Sequence, residues 1–310
     1  MADCKSHRPA HAEQIEINIT QGCKHSFGSK KTSLVQIHAT PANQMLVSVI
    51  TINRNNAEGL ARTLASTSGQ SFGQFEQIVI DGGSTDGSAE LVKSAAFRID
   101  RGISEPDSGI YNAMNKGIRM ARGKYLLFLN SGDHLFDSLA LAKAIAAMDD
   151  SDVQCFDLLV RGHVELNGGI DYVKAYPDQI DFSYMAVDSL PHPATFIKAS
   201  LFGQFGMYDE SLRICADWKQ FTLWLCKHNC TYKHHSIPLA VFYMDGLSGD
   251  PINRAALLAE RRHVLHTEFA AFQRDLHDLI QSRDAVKALA ALRQSKIIRL
   301  LRKTGLLWDF

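Results

Sequence analysis

No stretch of the sequence strings together the roughly 18 apolar residues that a membrane-crossing helix needs, so nothing is expected to span a bilayer. The first residues also lack a basic start followed by a long apolar run, so they are not read as a signal peptide. Net charge is missing too. The 33 Lys and Arg balance 33 Asp and Glu, which removes the overall positive field of a nucleic-acid binder, and no nucleic-acid partner is expected. Cysteine is sparse and scattered: Cys4, Cys23, Cys155, Cys215, Cys226 and Cys230 form no CxxC pair. A secreted disulfide framework would be denser and in a shorter chain, so these are expected to be reduced thiols of a cytoplasmic protein. Internal repeats and low-complexity tracts are absent, which argues against a solenoid or a disordered tail protein.

What remains is the composition of an ordinary soluble globular protein, 45% hydrophobic and 21% charged over 310 residues. That length suits one large domain with an appendage, or two modest domains. Residues 1–44 are polar, His-rich and weakly patterned, and read as an N-terminal extension without firm order. Cys4, His7, His11, Cys23 and His25 lie there, but their spacing matches no standard zinc pattern. From Leu46 the chain alternates. Apolar, β-branched runs at 46–52, 75–81 and 124–130 predict strands, with a weaker one at 97–103. Helical patterns lie between them, at Asn56–Ser66, from about Gly87 with Ser84 or Asp86 as cap, and over 108–122. The stripe Ile110, Met114, Ile118 and Ala121 marks the buried face of the last of these. After residue 150 the pattern is mixed, with strands at 153–160, 230–237 and 240–244 and a helix at 216–228. Residues 251–310 read as a C-terminal helical, basic amphipathic extension, and 45–250 as the main domain.

Strand, helix, strand, helix, strand predicts an α/β fold with a mostly parallel, Rossmann-like sheet. Ligands in such sheets bind beyond the carboxyl ends of the strands. Those ends here carry Asn53 and Arg54, Asp81, Glu105–Asp107 and Asn130–Asp133, so acids gather along one edge. Asp133 follows an apolar strand directly, after Ser131 and Gly132. A carboxylate there can meet a diphosphate through Mn2+ or Mg2+, which bind through one or two carboxylates plus substrate phosphates. The competing reading is a turn residue or a cap for a helix beginning near Ser138. Asp81 can accept a hydrogen bond from a pyrimidine imide or a ribose hydroxyl. Arg54 can contact phosphate or stand in solvent. Asp217, an acid among apolar residues at a helix start, is either a dipole-stabilised terminal acid or a general base facing a pocket. His192, just before an expected strand, is a structural histidine or a contact for acceptor or donor.

The ordered segments LVSVITINRNN, FEQIVIDGGSTDGS and SEPDSGIYNAMNKGIRMARGKYLLFLNSGD, with HPATFIKASLFGQFGMYDESLRICADW further on, resemble the family 2 glycosyltransferases of the GT-A fold. The flavour is that of enzymes building bacterial surface polysaccharides and glycolipids. The resemblance implies an inverting transfer of one sugar from a nucleoside-diphosphate donor, UDP favoured, to a hydroxyl of a saccharide or lipid-linked acceptor. It implies that Thr51 and Asn53 line the nucleoside pocket with Asp81 near the base. Arg54 and Ser131 are counted with the donor contacts, and Asp107 lies near the nucleotide or donor sugar. Asp133 becomes the metal-binding acid and Asp217 the general base. Two departures stand out. Asn130-Ser131-Gly132-Asp133 supplies one carboxylate where the family's metal motif often supplies two. Gln220-Phe221-Thr222-Leu223-Trp224 has Leu where processive members carry Arg in Gln-x-x-Arg-Trp, which argues against a polymer synthase.

The tail Lys296–Trp308 mixes bulky apolar and basic residues. Its two readings are a helix lying on an anionic membrane at the inner face, which suits a lipid-linked acceptor, and a helix packed against the protein. Two rival functions are weighed. A nucleotidyltransferase would show a Gly-rich, basic loop after the first strand, which residues 53–59 do not resemble. A catalytically inactive nucleotide-binding scaffold is favoured only by the reduced metal motif, and retention of Asp133 and Asp217 opposes it.

Overall fold

The computed structural model describes residues 46–94, 96–162, 169–243 and 251–295. The group Cys4, His7, His11, Cys23 and His25 and the tail Lys296–Trp308 lie outside the described residues.

β1 (Val47–Asn53) is buried along its whole length, as its run of Val, Ile and Thr demands for a strand covered on both faces. α1 (Ala57–Ser68) starts where Asn56 Oδ1 accepts the Gly59 amide at 3.1 Å. β2 (Phe75–Asp81) lies parallel to β1 with Asn53 opposite Asp81. Successive β2 side chains point to opposite faces. Ile78 and Ile80 therefore join the main core, while Val79 joins a small second core with Leu60 and Leu64 of α1.

α2 (Ser88–Lys93) is one and a half turns long. Asp86 serves it as expected, accepting from the Ser88 amide at 3.1 Å, and also takes the Ala57 amide of α1 at 2.8 Å. Ser84 does not cap; its hydroxyl is committed to Asp81. β3 (Arg101–Ser104) starts later than the sequence predicts. Phe97 and Ile99 leave the sheet to cover the small second core, and the Asp100 carboxylate takes the Gln77 amide at 2.8 Å. α3 (Ile110–Met120) packs on β1 and β2 through Met114 and Ile118. Tyr111 and Asn115 are buried as well, polar side chains that the apolar stripe did not reveal. Asn115 is satisfied, donating to the Tyr208 carbonyl at 2.9 Å and accepting the Tyr208 amide at 3.0 Å.

β4 (Tyr125–Phe128) pairs with the other side of β1, then β5 (His134–Leu135) and α4 (Ala140–Ala147) follow. The second half comprises β6 (Val153–Arg161), β7 (Tyr172–Lys174), α5 (Phe182–Val187), β8 (Thr195–Lys198), α6 (Ser200–Phe205), α7 (Ala216–Cys226) and β9 (Tyr232–Tyr243). β9 is one strand where the sequence predicted two. Pro238 lacks an amide hydrogen, and the ladder absorbs it as a register shift opposite Asp157. Among the described residues the sheet order is β3-β2-β1-β4-β8-β6-β9-β5, with β7 beside β6. Only β5, β7 and β8 run antiparallel to their neighbours, so the sheet is mostly parallel and flanked by helices, as expected.

α8 (Arg254–Glu268) and α9 (Gln273–Gln294) close the described chain. Val264, Leu265 and Phe269 are buried in the main core. α9 lies against α5 and exposes Val286, Leu289 and Leu292. Among the described residues no helix is long and apolar enough to cross a membrane. Cys155, Cys215, Cys226 and Cys230 are free thiols, and burial pushes that of Cys155 up to about 12.

The turn from α3 into β4 depends on a close approach. The Gly123 amide donates to Ser48 Oγ at 2.9 Å, and a Cβ at Gly123 would stand 2.4 Å from the Ser48 backbone nitrogen. Gly123→Ala is expected to lower stability by about 1–3 kcal/mol, read as a reduced urea midpoint. An unchanged midpoint would show that this joint has room to spare.

Candidate active site

The strand order places β1 between β2 and β4, with connections leaving it in opposite directions. Carboxyl ends of parallel strands diverge at such a switch point and leave a crevice. Asn53, Arg54, Asp81, Asp107 and the Asn130–Asp133 turn all lie along that edge, so the predicted gathering of acids is real.

Asp81 has no exposed surface. Oδ1 accepts from Asn53 Nδ2 at 2.8 Å and Ser84 Oγ at 2.5 Å, and Oδ2 from the Ser84 amide at 3.0 Å and Ser104 Oγ at 2.6 Å. Burial pushes its carboxyl up, and the bonds from Ser104, Ser84 and Asn53 outweigh that and hold it below the ordinary range. A carboxylate has about four acceptor positions, so this one is spent. Asp81 thereby organises the crevice wall. Thr51 is fully buried, and its hydroxyl accepts from Gln77 Nε2 at 2.9 Å, which braces the sheet. Asn53 keeps an unspent acceptor, because its buried Oδ1 has no partner. Arg54 is exposed and lies 3.9 Å from the Asp107 carboxylate, whose side chain is only 4% exposed. Asp107 is pressed against the backbone: a Cβ at Gly82 would meet its Oδ2 at 2.3 Å.

The Asn130–Asp133 turn is pinned by α1. Gly132 donates to Thr63 Oγ1 at 3.0 Å, the Thr63 hydroxyl reaches the Asp133 carbonyl at 2.6 Å, and Asn56 Nδ2 donates to the Ser131 carbonyl at 3.2 Å. Asp133 does not cap α4; Asp137 takes the Leu139 amide at its start. Asp133 instead lines a cavity of about 790 Å³, together with Ser131 and Asn130. Among the described residues no three His, Cys, Asp or Glu side chains converge as a metal cage. The oxygens present still suit Mn2+ or Mg2+: beside the Asp133 carboxylate, the buried Asn130 Oδ1 has no partner, and substrate phosphates complete such shells.

Asp217 lines the same cavity, in the first turn of α7. It is no cap. The amides leading into α7, from Arg213, Ile214 and Cys215, donate to the Glu260 carboxylate of α8 at 2.8, 3.0 and 3.1 Å. Asp217 is left to the cavity with a quarter of its side chain exposed. Tyr111 Oη donates to Asp217 Oδ1 at 2.8 Å, and His192 Nδ1 lies 3.7 Å from Oδ2. His192 is 7% exposed, stacks on Phe128 at 4.9 Å, and meets Tyr208 Oη through Nε2 at 2.8 Å. Burial pushes the imidazole below its ordinary pKa, offset only in part by Asp217. Burial also pushes both phenols well above theirs, with Asp217 adding to the effect. The arrangement consistent with these directions is a neutral His192 carrying its proton on Nδ1, towards the carboxylate, with Tyr208 donating to Nε2. His192 thus lies beside Asp217 in the lining of the cavity.

Tyr111, Tyr208, Glu260 and Arg261 were not singled out from the sequence. Tyr111 sat inside an apolar stripe, where a phenol reads as core. Arg261 lines the cavity, while Tyr208 backs His192 and Glu260 holds the segment before α7; all three come from elements distant in sequence, and no local pattern announces them.

The family model described as Glycosyl transferase family 2 matches residues 48–205, just over half of the chain. The chain belongs to glycosyl transferase family 2. This glycosyltransferase is 31% identical over 180 residues to a PGL/p-HBAD biosynthesis glycosyltransferase of Mycobacterium bovis, covering 56% of this chain and 67% of that protein. Its fold is GT-A. It is similar to that of Staphylococcus aureus TarS 1–349 in complex with UDP-GlcNAc, with a TM-score of 0.52, 20% identity, and coverage of 64% of this chain and 58% of that one. It is also similar to that of the mannosyltransferase PcManGT of Pyrobaculum calidifontis in complex with GDP-Man and Mn2+, with a TM-score of 0.51, 16% identity, and coverage of 86% and 80%. Asp217 lies beyond the residues that the family model matches.

The saturated Asp81 carboxylate links stability of this glycosyltransferase to pH. Its folded pKa lies below the unfolded value, so its contribution is complete above about pH 4 and fades as pH falls through the folded-state pKa. Unfolding free energies of the wild type and Asp81→Asn should therefore converge as pH drops from about 5 to about 2. A gap that stays constant across that range would mean that the hydrogen bonds do not favour the ionised form.

Proposed function

We propose that the enzyme transfers a single sugar from a nucleoside-diphosphate donor, UDP favoured, to a hydroxyl of a saccharide or lipid-linked acceptor, with inversion, in cell-surface glycan synthesis. The observation that carries this reading is that Asp133 and Asp217 line one cavity, with part of the Asp217 carboxylate exposed there. The nucleotide belongs at the β1–β2 edge, where Asn53 Oδ1 is unspent and Arg54 is exposed enough to reach phosphate. Asp107 and Ser131 border that path, one beside Gly82 and one beside Asp133. A divalent cation held by Asp133, with Asn130 Oδ1 beside it, would neutralise the charge on the leaving diphosphate.

Asp217 acts as base. The acceptor hydroxyl oxygen attacks the anomeric carbon, its proton passes to the Asp217 carboxylate, and the bond to the diphosphate breaks with its electron pair leaving on phosphate. Attack from the face opposite the leaving group inverts the centre. Tyr111 and His192 hold the carboxylate while leaving part of it open to the cavity. The basic tail, Lys296–Trp308, is the proposed contact with an anionic membrane carrying a lipid-linked acceptor.

Thermal-shift titration with UDP, GDP, dTDP and CMP, each with and without Mn2+, tests the donor site. A shift that one diphosphate produces only with the metal supports the reading, and no shift with any of them sinks it. Asp133→Ala should lose that metal-dependent shift. Asp217→Asn should keep it and lower turnover by roughly a hundredfold or more. Normal turnover in Asp217→Asn would remove the base from the scheme.

A further inference from the structure

Three cations line the cavity. Arg62 pairs with Glu58 at 3.3 Å, and Lys174 pairs with Asp188 at 3.0 Å. Arg261 of α8 has no ion pair or hydrogen-bond acceptor among the described residues, and its buried Nε is without a partner. Its guanidinium lies over the Trp218 ring, 4.8 Å from the centroid. Trp218 itself is 1% exposed and fixed by donating from Nε1 to the Met185 carbonyl at 2.6 Å. The face of the guanidinium is thus occupied by indole, while the donors around its edge are unspent. A planar fork held in this way fits the two oxygens of a carboxylate or phosphate. The helix that carries it is anchored on both sides of the residue, by Glu260 on the amides before α7 and by Val264 and Leu265 in the core.

Trp218 follows Asp217 directly, and the Asp217 charge acts on the Arg261 guanidinium, so the fork stands near that carboxylate. We propose that Arg261 forms an oxyanion subsite for the acceptor, so that the preferred acceptor carries a phosphate or carboxylate close to the hydroxyl that receives the sugar. The assignment of this wall to the acceptor rests on the role of Asp217 proposed above. Leaving a charged donor in the wall without an acceptor is unfavourable, and an anionic group on the substrate relieves it.

The test uses the full chain saturated with UDP and Mn2+, with phenyl phosphate and benzoate as probes, by calorimetry. Binding of either probe that Arg261→Ala weakens about tenfold or more, with UDP–Mn2+ affinity unchanged within about twofold, supports the subsite. Arg261→Lys should recover part of the loss, because it keeps the charge without the fork. Equal probe binding by the wild type and Arg261→Ala overturns the proposal, as does wild-type protein that binds neither probe. A matching loss of UDP–Mn2+ affinity also overturns it, because the arginine then serves the donor diphosphate. If Arg261→Ala melts well below the wild type, Arg261→Gln and Arg261→Lys decide by the same readout. Failure of the wild type to bind UDP–Mn2+ counts against the donor site alone, because probe binding without UDP still compares wild type with variant.

Discussion

Three amides enter α7 with no partner inside that helix, and the Glu260 carboxylate, 47 residues downstream of Arg213, takes all three. These amides belong to the segment that leads into α7, and buried backbone donors need acceptors. The same contact fixes α8 against the start of α7, on the helix that also lays Arg261 over Trp218. Asp217, in the first turn, keeps a quarter of its side chain exposed.

The strand-end crevice and the surroundings of Asp217 are stiffened by different means. At the β1–β2 edge the backbone does most of the work. Parallel pairing sets Asn53 against Asp81 and Asp81 against Ser104, and the Asp81 carboxylate then draws Asn53, Ser84 and Ser104 together. On the base side rings do it. Phe128 stacks under His192, Tyr208 holds its Nε2, and Tyr111 reaches across from α3 to Asp217. A buried polar chain of this kind holds a single geometry when each member has a partner, and here each does.

The parallel half of the fold was legible because its signals are local. β1, β2 and β4 are short apolar runs, and α1 and α3 show helical spacing between them. The errors came where tertiary packing overrode the local pattern. Phe97 and Ile99 look like strand residues but cover the second core, and Pro238 looks like a strand break but sits in a bulge. Among the site residues, Asp133 and Asp217 were visible as acids where apolar segments end or begin. Thr51 and Asp81 were visible too, and the structure adds that their side chains are hydrogen-bonded inside the protein. A sequence gives the position of a polar group and not the number of its hydrogen bonds.

By itself the sequence determined the α/β alternation, the crevice at the carboxyl ends of the strands, and the acids that border it, because each follows from periodicity within a few residues. Only the tertiary structure decided which of those acids faces the cavity. Burial and hydrogen bonds occupy Asp81, packing around α7 leaves Asp217 partly open to the cavity, and the stacking of Arg261 on Trp218 puts a cation near it. The physical reason is common to all three. Whether a charged side chain is free to act depends on partners that long-range packing supplies, and nothing near it in the chain records them.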